Sequence, residues 1–302
     1  MKQTFYSNGK LLITGEYVVL DGATALALPT KYGQTLSVEK NNTPGLFWKS
    51  FDKDKNCWFE SYFELSNLKS EKETKESATL SDILKAARNL NKNFLTSKNG
   101  YAVTTYLDFD RNWGLGTSST LINNIAQWAN VNAFELLEKS FGGSGYDIAA
   151  AQHSTPIFYI RNKTLQPEVR NVHLNWDFKD ALFFVHLNQK QNSKEGIAAY
   201  KNALVSKKQL QQITDLSNKL LMCYTLQDFE ALLNAHEALI SIIIKQPTVK
   251  SRLFNDYPNT IKSLGAWGGD FILVTGNKND LEYFKAKGYN TILSFEEMIL
   301  KT

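Results

Sequence analysis

The pattern of apolar and polar positions changes character along this chain. In the first half, residues 10–14, 35–38, 58–65 and 101–107 are short runs rich in β-branched and aromatic side chains, separated by polar or glycine-bearing turns, which predicts strands. One helix interrupts them: SDILKAARNLN, residues 81–91, offers Ser81 as an N-cap and places Ile83, Leu84, Ala87 and Leu90 on one face. The Lys- and Glu-rich piece at 69–76 reads as an exposed loop or helix entrance. Further on, LINNIAQWANVNAFELLEKSF, residues 121–141, spaces Leu121, Ile125, Trp128 and Ala129 helically, and another helix is expected to open near Tyr146. Strands return at 156–160 and 181–186. From 207 to 246 the chain is helical, with Leu226, Phe229, Leu232, Leu233, His236, Leu239, Ile240 and Ile243 as a broad buried stripe that makes His236 an interior histidine. FILV at 271–274 is a buried strand, and Ser294 caps a last helix. Mixed elements restart near 177–180, so the expected domains are 1–179 and 180–302.

Composition narrows the classes. With 302 residues, 43% hydrophobic and 21% charged, the chain is long and apolar enough to bury a large core. Its formal charge of +4 is spread out with no long basic tract, which argues against a nucleic-acid partner but leaves room for a small anionic ligand. Cys57 and Cys223 lie far apart and neither sits in a CxxC pair, so a disulfide framework and a structural zinc are not expected. No apolar run has the length of a signal peptide or a membrane span, which leads us to expect a cytoplasmic protein without a membrane partner, as monomer or homodimer.

The candidate chemistry centres on GLGTSST, residues 114–120, directly ahead of a predicted helix. A helix start leaves backbone N–H groups without intrahelical partners and carries positive potential, so it suits a phosphate. Gly114 and Gly116 would let the backbone approach closely, while Thr117, Ser118 and Ser119 could donate hydrogen bonds or ligate Mg²⁺. Alternatively, one hydroxyl merely caps the helix; the heptapeptide alone leaves both readings open. It is neither a Walker A loop nor a GxGxxG fingerprint. Three further glycine-bearing segments, SNGKLLITGEY, GGSGYDIAAA and SLGAWGGDFILV, suggest one site assembled from several loops.

Taken as a set and in this order, SNGKLLITGEYVVLDGATALALP, GLGTSST, GSGYDIAAA and SLGAWGGDFILV resemble the motifs of the GHMP small-molecule kinases over nearly the whole chain. Within the phosphomevalonate kinase and mevalonate kinase branch the chain is most similar to the phosphomevalonate kinases: GKLLITGEY has tyrosine where mevalonate kinases usually have histidine, GAWGGD is similar to their GAGGGD, and LNQKQNSKEGIAAY is similar to a stretch found in them and their neighbours. The resemblance implies an α+β, two-domain GHMP kinase fold: an N-terminal α/β domain with the glycine-rich phosphate loop and a C-terminal ferredoxin-like domain. It implies an ATP- and Mg²⁺-dependent kinase that phosphorylates phosphomevalonate or a related hydroxy-acid in isoprenoid precursor synthesis. Rival readings are a mevalonate kinase, a diphosphomevalonate decarboxylase, and a non-catalytic nucleotide-binding relative.

The roles that the resemblance implies are these. Asp147 serves as the catalytic carboxylate, a role compatible with capping the helix it begins, and Lys10 neutralises charge on the transferred phosphoryl. Gly114, Leu115, Gly116, Thr117, Ser118 and Ser119 hold the nucleotide phosphates, with Ser118 and Glu138 (or Glu135) toward the metal. Glu16, Tyr17, Ser144, Gly145, Gly268, Gly269 and Asp270 line the acceptor site, and Lys190, Gln191 and Ser193 supply contacts to an acceptor that already carries phosphate. The chain departs from the family's common pattern at Asn8, Ser119, Thr120 and Trp267, where proline, alanine, alanine and glycine are usual, and its segment between GLGTSST and GSGYD is short.

Overall fold

The structure is a computed structural model that describes residues 2–96, 99–162, 166–189, 193–267 and 269–301. The chain folds into two compact units. The first comprises 1–9, 32–111 and 115–152; the second comprises 10–31, 112–114 and 153–302. The chain passes from one unit to the other within two long strands, β1 (Lys2–Thr14) and β2 (Ala25–Asn41).

In the first unit, β2 from Gln34 onward pairs antiparallel with β5 (Gly100–Leu107), which pairs parallel with β3 (Leu46–Phe51), itself a hairpin partner of β4 (Cys57–Phe63). Leu46, Trp48 and Ser50 turn inward while Phe47 and Lys49 turn outward, the period-2 alternation of a sheet with one covered face. The covering layer is helical: α1 (Lys75–Leu90), α2 (Thr117–Ala129), α3 (Ala133–Ser140) and α4 (Tyr146–Gln152). Leu36, Val38, Trp48, Val103, Leu84, Ile122, Ile125 and Leu136 meet in one core. Helix α1 starts two turns earlier than its periodicity alone predicts. Thr74 and Ser77 form a reciprocal capping box, and Ser81, the expected cap, lies inside the helix and donates to the Leu68 carbonyl at 2.6 Å.

The second unit contains a four-stranded antiparallel sheet in the order β11 (Ile292–Ser294), β8 (Leu182–His186), β10 (Phe271–Thr275), β9 (Ile261–Ser263). Between β8 and β9 run α5 (Ser193–Tyr200), α6 (Lys207–Leu221), α7 (Leu226–Ile244) and α8 (Val249–Leu253); α9 (Glu282–Ala286) lies between β10 and β11, and α10 (Phe295–Met298) follows. Helices inserted between β8 and β9 and between β10 and β11 make the β-α-β-β-α-β pattern of a ferredoxin-like sheet, as expected. Ser206 with Gln209, Thr225 and Ser294 with Glu297 cap α6, α7 and α10. Phe229, Leu233, His236, Ile240 and Ile243 are the buried stripe of α7. The same unit carries β6 (Ile157–Ile160), paired with Ala25–Ala27 of β2, and β7 (Glu168–Asn171) beside it.

Candidate functional site

Gly114 belongs to the second unit and residues 115–120 to the first, and each part has its own supports. In the first unit, Leu115 is fully buried and Gly116 is the N-cap residue of α2, in a left-handed conformation at φ 92. The cap position is thus held by a glycine, and none of Thr117, Ser118 and Ser119 stands at it. The next hydroxyl does have a structural task. Thr120 Oγ1 donates to Gln34 Oε1 at 2.8 Å.

That bond begins a buried polar chain which the sequence pattern does not foretell. Asn124 Nδ2 donates to the Gln34 carbonyl at 2.8 Å, Ser7 Oγ donates to Asn124 Oδ1 at 2.8 Å, Asn123 Nδ2 donates to Ser7 Oγ at 2.8 Å, and Gln152 Nε2 donates to Asn123 Oδ1 at 2.9 Å. It ties α2 to β1, β2 and α4 by groups that would be costly to leave unpaired in the interior. The one signal in the chain is a pair of adjacent asparagines on the inner face of an amphipathic helix. Helix α4 packs on α2, its Ile148 joining Ile122 and Ile125 in the core, and Ile148, Ala149 and Ala150 are all fully buried. Half-buried Asp147 sits in its first turn, behind buried Ser144 and left-handed Gly145. Glu135 and Glu138 are exposed on α3.

The first unit also has an open cavity of about 590 Å³ lined by Trp58, Lys72, Thr74 and Arg111 among others. The Arg111 guanidinium lies 3.6 Å from the centre of the Trp58 ring, a cation–π stack.

In the second unit, Lys10 Nζ donates to the Gly114 carbonyl at 3.1 Å. Gly114 is left-handed at φ 66, and a Cβ there would meet the Asp270 carboxyl group at 2.2–2.6 Å. Residues 112–114 are seated by β8 and β10: His186 Nε2 bonds the Asn112 carbonyl at 3.1 Å, and the Trp113 ring stands edge-on to Phe271 at 5.5 Å. Asp270 is held by its backbone, donating to the Gln189 carbonyl and accepting from Leu187 N–H, both at 2.7 Å. Lys10, Gly114 and Asp270 are thus brought together. Gly269 precedes Asp270 directly; Lys190, Gln191 and Gly268 lie outside the described residues, and Ser193 is the first residue of α5.

Glu16 and Tyr17 occupy the turn that ends β1. Tyr17 has a positive φ of 61 with ψ −50, is buried, is stacked on Tyr200 at 5.8 Å, and lies so close to α5 that a Cβ on Gly196 would meet its hydroxyl at 2.4 Å. Burial, then the charge of Glu16, pushes its phenol up to about 12. Trp267, unusual in a glycine-rich loop, is left-handed at φ 53, with its indole buried among Tyr17, Val18, Tyr200 and Ile240.

The Glu16 carboxylate faces the interior. Lys262 hydrogen-bonds Glu16 Oε1 and lies 3.0 Å from Glu237 Oε1, while Ser263 Oγ donates to Glu237 Oε2 at 2.7 Å. His236 Nε2 accepts the Gly15 N–H at 3.1 Å and stands 3.5 Å from Glu16 Oε2. Burial raises Glu16 to about 7, against the pull of Lys262, and burial with Lys262 holds His236 well below its ordinary value.

A two-unit α/β chain with a glycine-started helix and a ferredoxin-like second unit has the fold of the GHMP small-molecule kinases. It superposes on the Methanococcus jannaschii mevalonate kinase (TM-score 0.72, 13% identity, 100% of this chain and 99% of that one). It also superposes on the Streptococcus pneumoniae phosphomevalonate kinase in complex with phosphomevalonate and AMPPNP (0.71, 13%, 97% and 99%), and on the Lactococcus lactis galactokinase complexed with galactose (0.71, 15%, 100% and 94%). At these identities the likeness is one of fold. No family model matches the chain, and no curated protein matches its sequence. Among the described residues no helix is long and apolar enough to cross a membrane, and no three His, Cys, Asp or Glu side chains gather as a metal site.

Proposed function

We propose that the protein is an ATP-dependent small-molecule kinase whose acceptor is phosphomevalonate or a related hydroxy-acid. The observation that carries this reading is the start of α2, where a left-handed glycine takes the N-cap position and so supplies no capping side chain of its own. Such an end offers oriented donors and positive potential to a triphosphate. The Trp58–Arg111 cavity offers an aromatic plate for the base in the same unit.

Phosphoryl transfer needs positioning and charge neutralisation. Gly114 to Ser119 would hold the phosphates; the Lys10 ammonium, already fixed on the Gly114 carbonyl, would take charge developing on the transferred group; and Asp147 would orient the acceptor hydroxyl and accept its proton. Mg²⁺, when bound with ATP, supplies further neutralisation, and the exposed Ser118 hydroxyl in the first turn of α2 fits one of its oxygen positions. Glu138 is the carboxylate proposed with it. Tyr17, Ser144, Gly145, Gly269 and Asp270 would face the acceptor. Lys190, Gln191 and Ser193 would carry its existing phosphate. The fold, shared with a mevalonate kinase, a phosphomevalonate kinase and a galactokinase, supports a small-molecule acceptor, and the phosphomevalonate class rests on the sequence resemblance.

A coupled ADP-release assay across mevalonate, phosphomevalonate, diphosphomevalonate and several sugars tests the reading. Turnover is expected with phosphomevalonate, and Lys190→Ala should raise the acceptor KM far more than the ATP KM. ATP binding without turnover on any acceptor would make the chain a non-catalytic nucleotide binder, and release of carbon dioxide would make it a decarboxylase.

A further inference from the structure

The second unit encloses four ionisable side chains with almost no access to water: Glu16 at the exit of β1, His236 and Glu237 on α7, and Lys262 on β9. Their relative exposures are 0, 1, 3 and 0%. Charges so deeply placed are expensive unless matched, and here one ammonium serves two carboxylates. The mismatch has a location. Neither carboxylate is fully hydrogen-bonded: Glu237 Oε2 accepts from Ser263 while its Oε1, without a hydrogen bond among the described residues, lies 3.0 Å from the Lys262 ammonium, whereas Glu16 meets Lys262 through Oε1 only. Glu16 Oε2 has no hydrogen-bond partner among the described residues. Opposite it, at 3.5 Å, stands His236 Nε2, whose lone pair already accepts the Gly15 N–H. Two acceptors facing each other in a dry interior repel unless one carries a proton.

The quartet is attached to a conformation that the backbone would not adopt unaided. Gly15 is left-handed at φ 89 and pressed so closely on Ala25 that a Cβ would lie 2.8 Å from its methyl group. Tyr17 holds a positive φ of 61 with ψ −50 although it is a bulky residue, a strained state that persists only when its surroundings impose it. The surroundings are His236 on the Gly15 amide and Lys262 on the Glu16 carboxyl group, with the bonds Val18 N–H to the Glu16 carbonyl at 2.6 Å and Val19 N–H to the Gly15 carbonyl at 3.0 Å closing the turn.

We propose that the quartet locks the turn at residues 15–17, that the lock closes with one proton on Glu16, and that Lys262 and Glu16 are therefore positioning residues for Tyr17. With Glu16 neutral, one ammonium matches one carboxylate and nothing repels the His236 lone pair. With Glu16 ionised, a second buried negative charge faces that lone pair and the turn loosens. The charged and titratable groups facing Glu16 are His236 and Glu237 from α7 and Lys262 from β9, with the Tyr17 phenol following in the chain. The consequence for acceptor binding rests on the assignment of Tyr17 to the acceptor's end of the site.

Hydrogen exchange on the ligand-free protein tests the lock independently of any activity. After correction for intrinsic rates, protection of the Gly15, Val18 and Val19 amides is expected to fall about tenfold between pH 6 and 8.5 in the unaltered protein. It should stay high at both values in Glu16→Gln, which keeps an acceptor for Lys262 without the charge, and be low at both in Lys262→Met. Should Lys262→Met fail to fold, the comparison of Glu16→Gln with the parent decides. Protection that ignores pH in the parent, or falls equally in Glu16→Gln, overturns the proposal. Kinetics then separates the two readings: an acceptor KM that rises about fivefold over the same pH interval, with the ATP KM steady, extends the lock to acceptor binding. Exchange that behaves as described beside a flat acceptor KM leaves the lock standing and removes Tyr17 from the acceptor site.

Discussion

Lys10 and Gly114, 104 positions apart in the chain, are joined by a hydrogen bond of 3.1 Å from ammonium to carbonyl. The bond ties the lysine to the loop that precedes α2, and the proposed function adds a second task, presenting charge there. Lys10→Met is accordingly expected to lower kcat by about 10²–10³ and also to weaken ATP binding by a smaller factor. Steady-state kinetics with calorimetric ATP binding checks both; a change in ATP affinity alone would reduce Lys10 to a loop anchor.

Gly114 is constrained on its other side by the Asp270 carboxyl group, 2.2–2.6 Å from where a Cβ would stand. Gly114→Ala combines this collision with a left-handed backbone at φ 66, which costs an alanine about 1–2 kcal/mol. ATP affinity is expected to drop about 100-fold. Adding Asp270→Ala should restore about tenfold of that loss, leaving the backbone strain in place. An additive double variant would show that the two side chains do not interfere as described.

Asp147 is the group proposed to receive the acceptor's proton, and it stands outside the loop that would hold the nucleotide. Asp147→Asn should reduce turnover about 10³-fold while the Kd for ATP stays within about twofold, measured by ADP release and calorimetry. Loss of ATP binding would reassign Asp147 to the nucleotide.

These residues also mark what the chain reveals before it is folded. Period-3.6 stripes and local caps show in sequence because they depend on neighbours within one turn, and so α2, α6, α7 and the Ser294 cap are legible. The strand at 46–51 is not, because its single alternating stretch is short and makes sense only beside β4 and β5. Periodicity misplaces the α1 start because Thr74-x-x-Ser77 is a box without the usual glutamate or glutamine. At the site, glycine loops announce themselves through composition, whereas the partners of Glu16 cannot be read. Lys262 is 246 positions away, and nothing local to either residue signals the other.

The buried amide chain on α2 yields a stability prediction for the first unit. Asn124 bridges Ser7 and the Gln34 carbonyl, and it is fully buried. Asn124→Leu removes both bonds and strands two buried partners, which should destabilise the unit by about 2–4 kcal/mol in urea unfolding. The exposed Asn89→Leu, on α1, should cost well under about 0.5 kcal/mol and serves as control.

Glu16 and His236 should give stability two pH dependences of opposite sign. Glu16 is raised from the ordinary carboxylate range to about 7, so its contribution is full below about 4.5 and is lost as pH rises through 7, an arm worth about 3 kcal/mol. His236 is depressed well below 6.5, so its contribution is full above 6.5 and is lost as pH falls. Below pH 6.5 and above 4.5 the two slopes oppose. Removing either partner should therefore uncover the other. Glu16→Gln should become more stable relative to the parent as pH rises across that interval, and His236→Gln should become less stable. Melting temperatures taken from pH 4.5 to 8 measure both differences, with contributions from all other groups common to the three proteins. Parallel curves would mean that neither side chain titrates differently in the folded and unfolded chains, contrary to their burial.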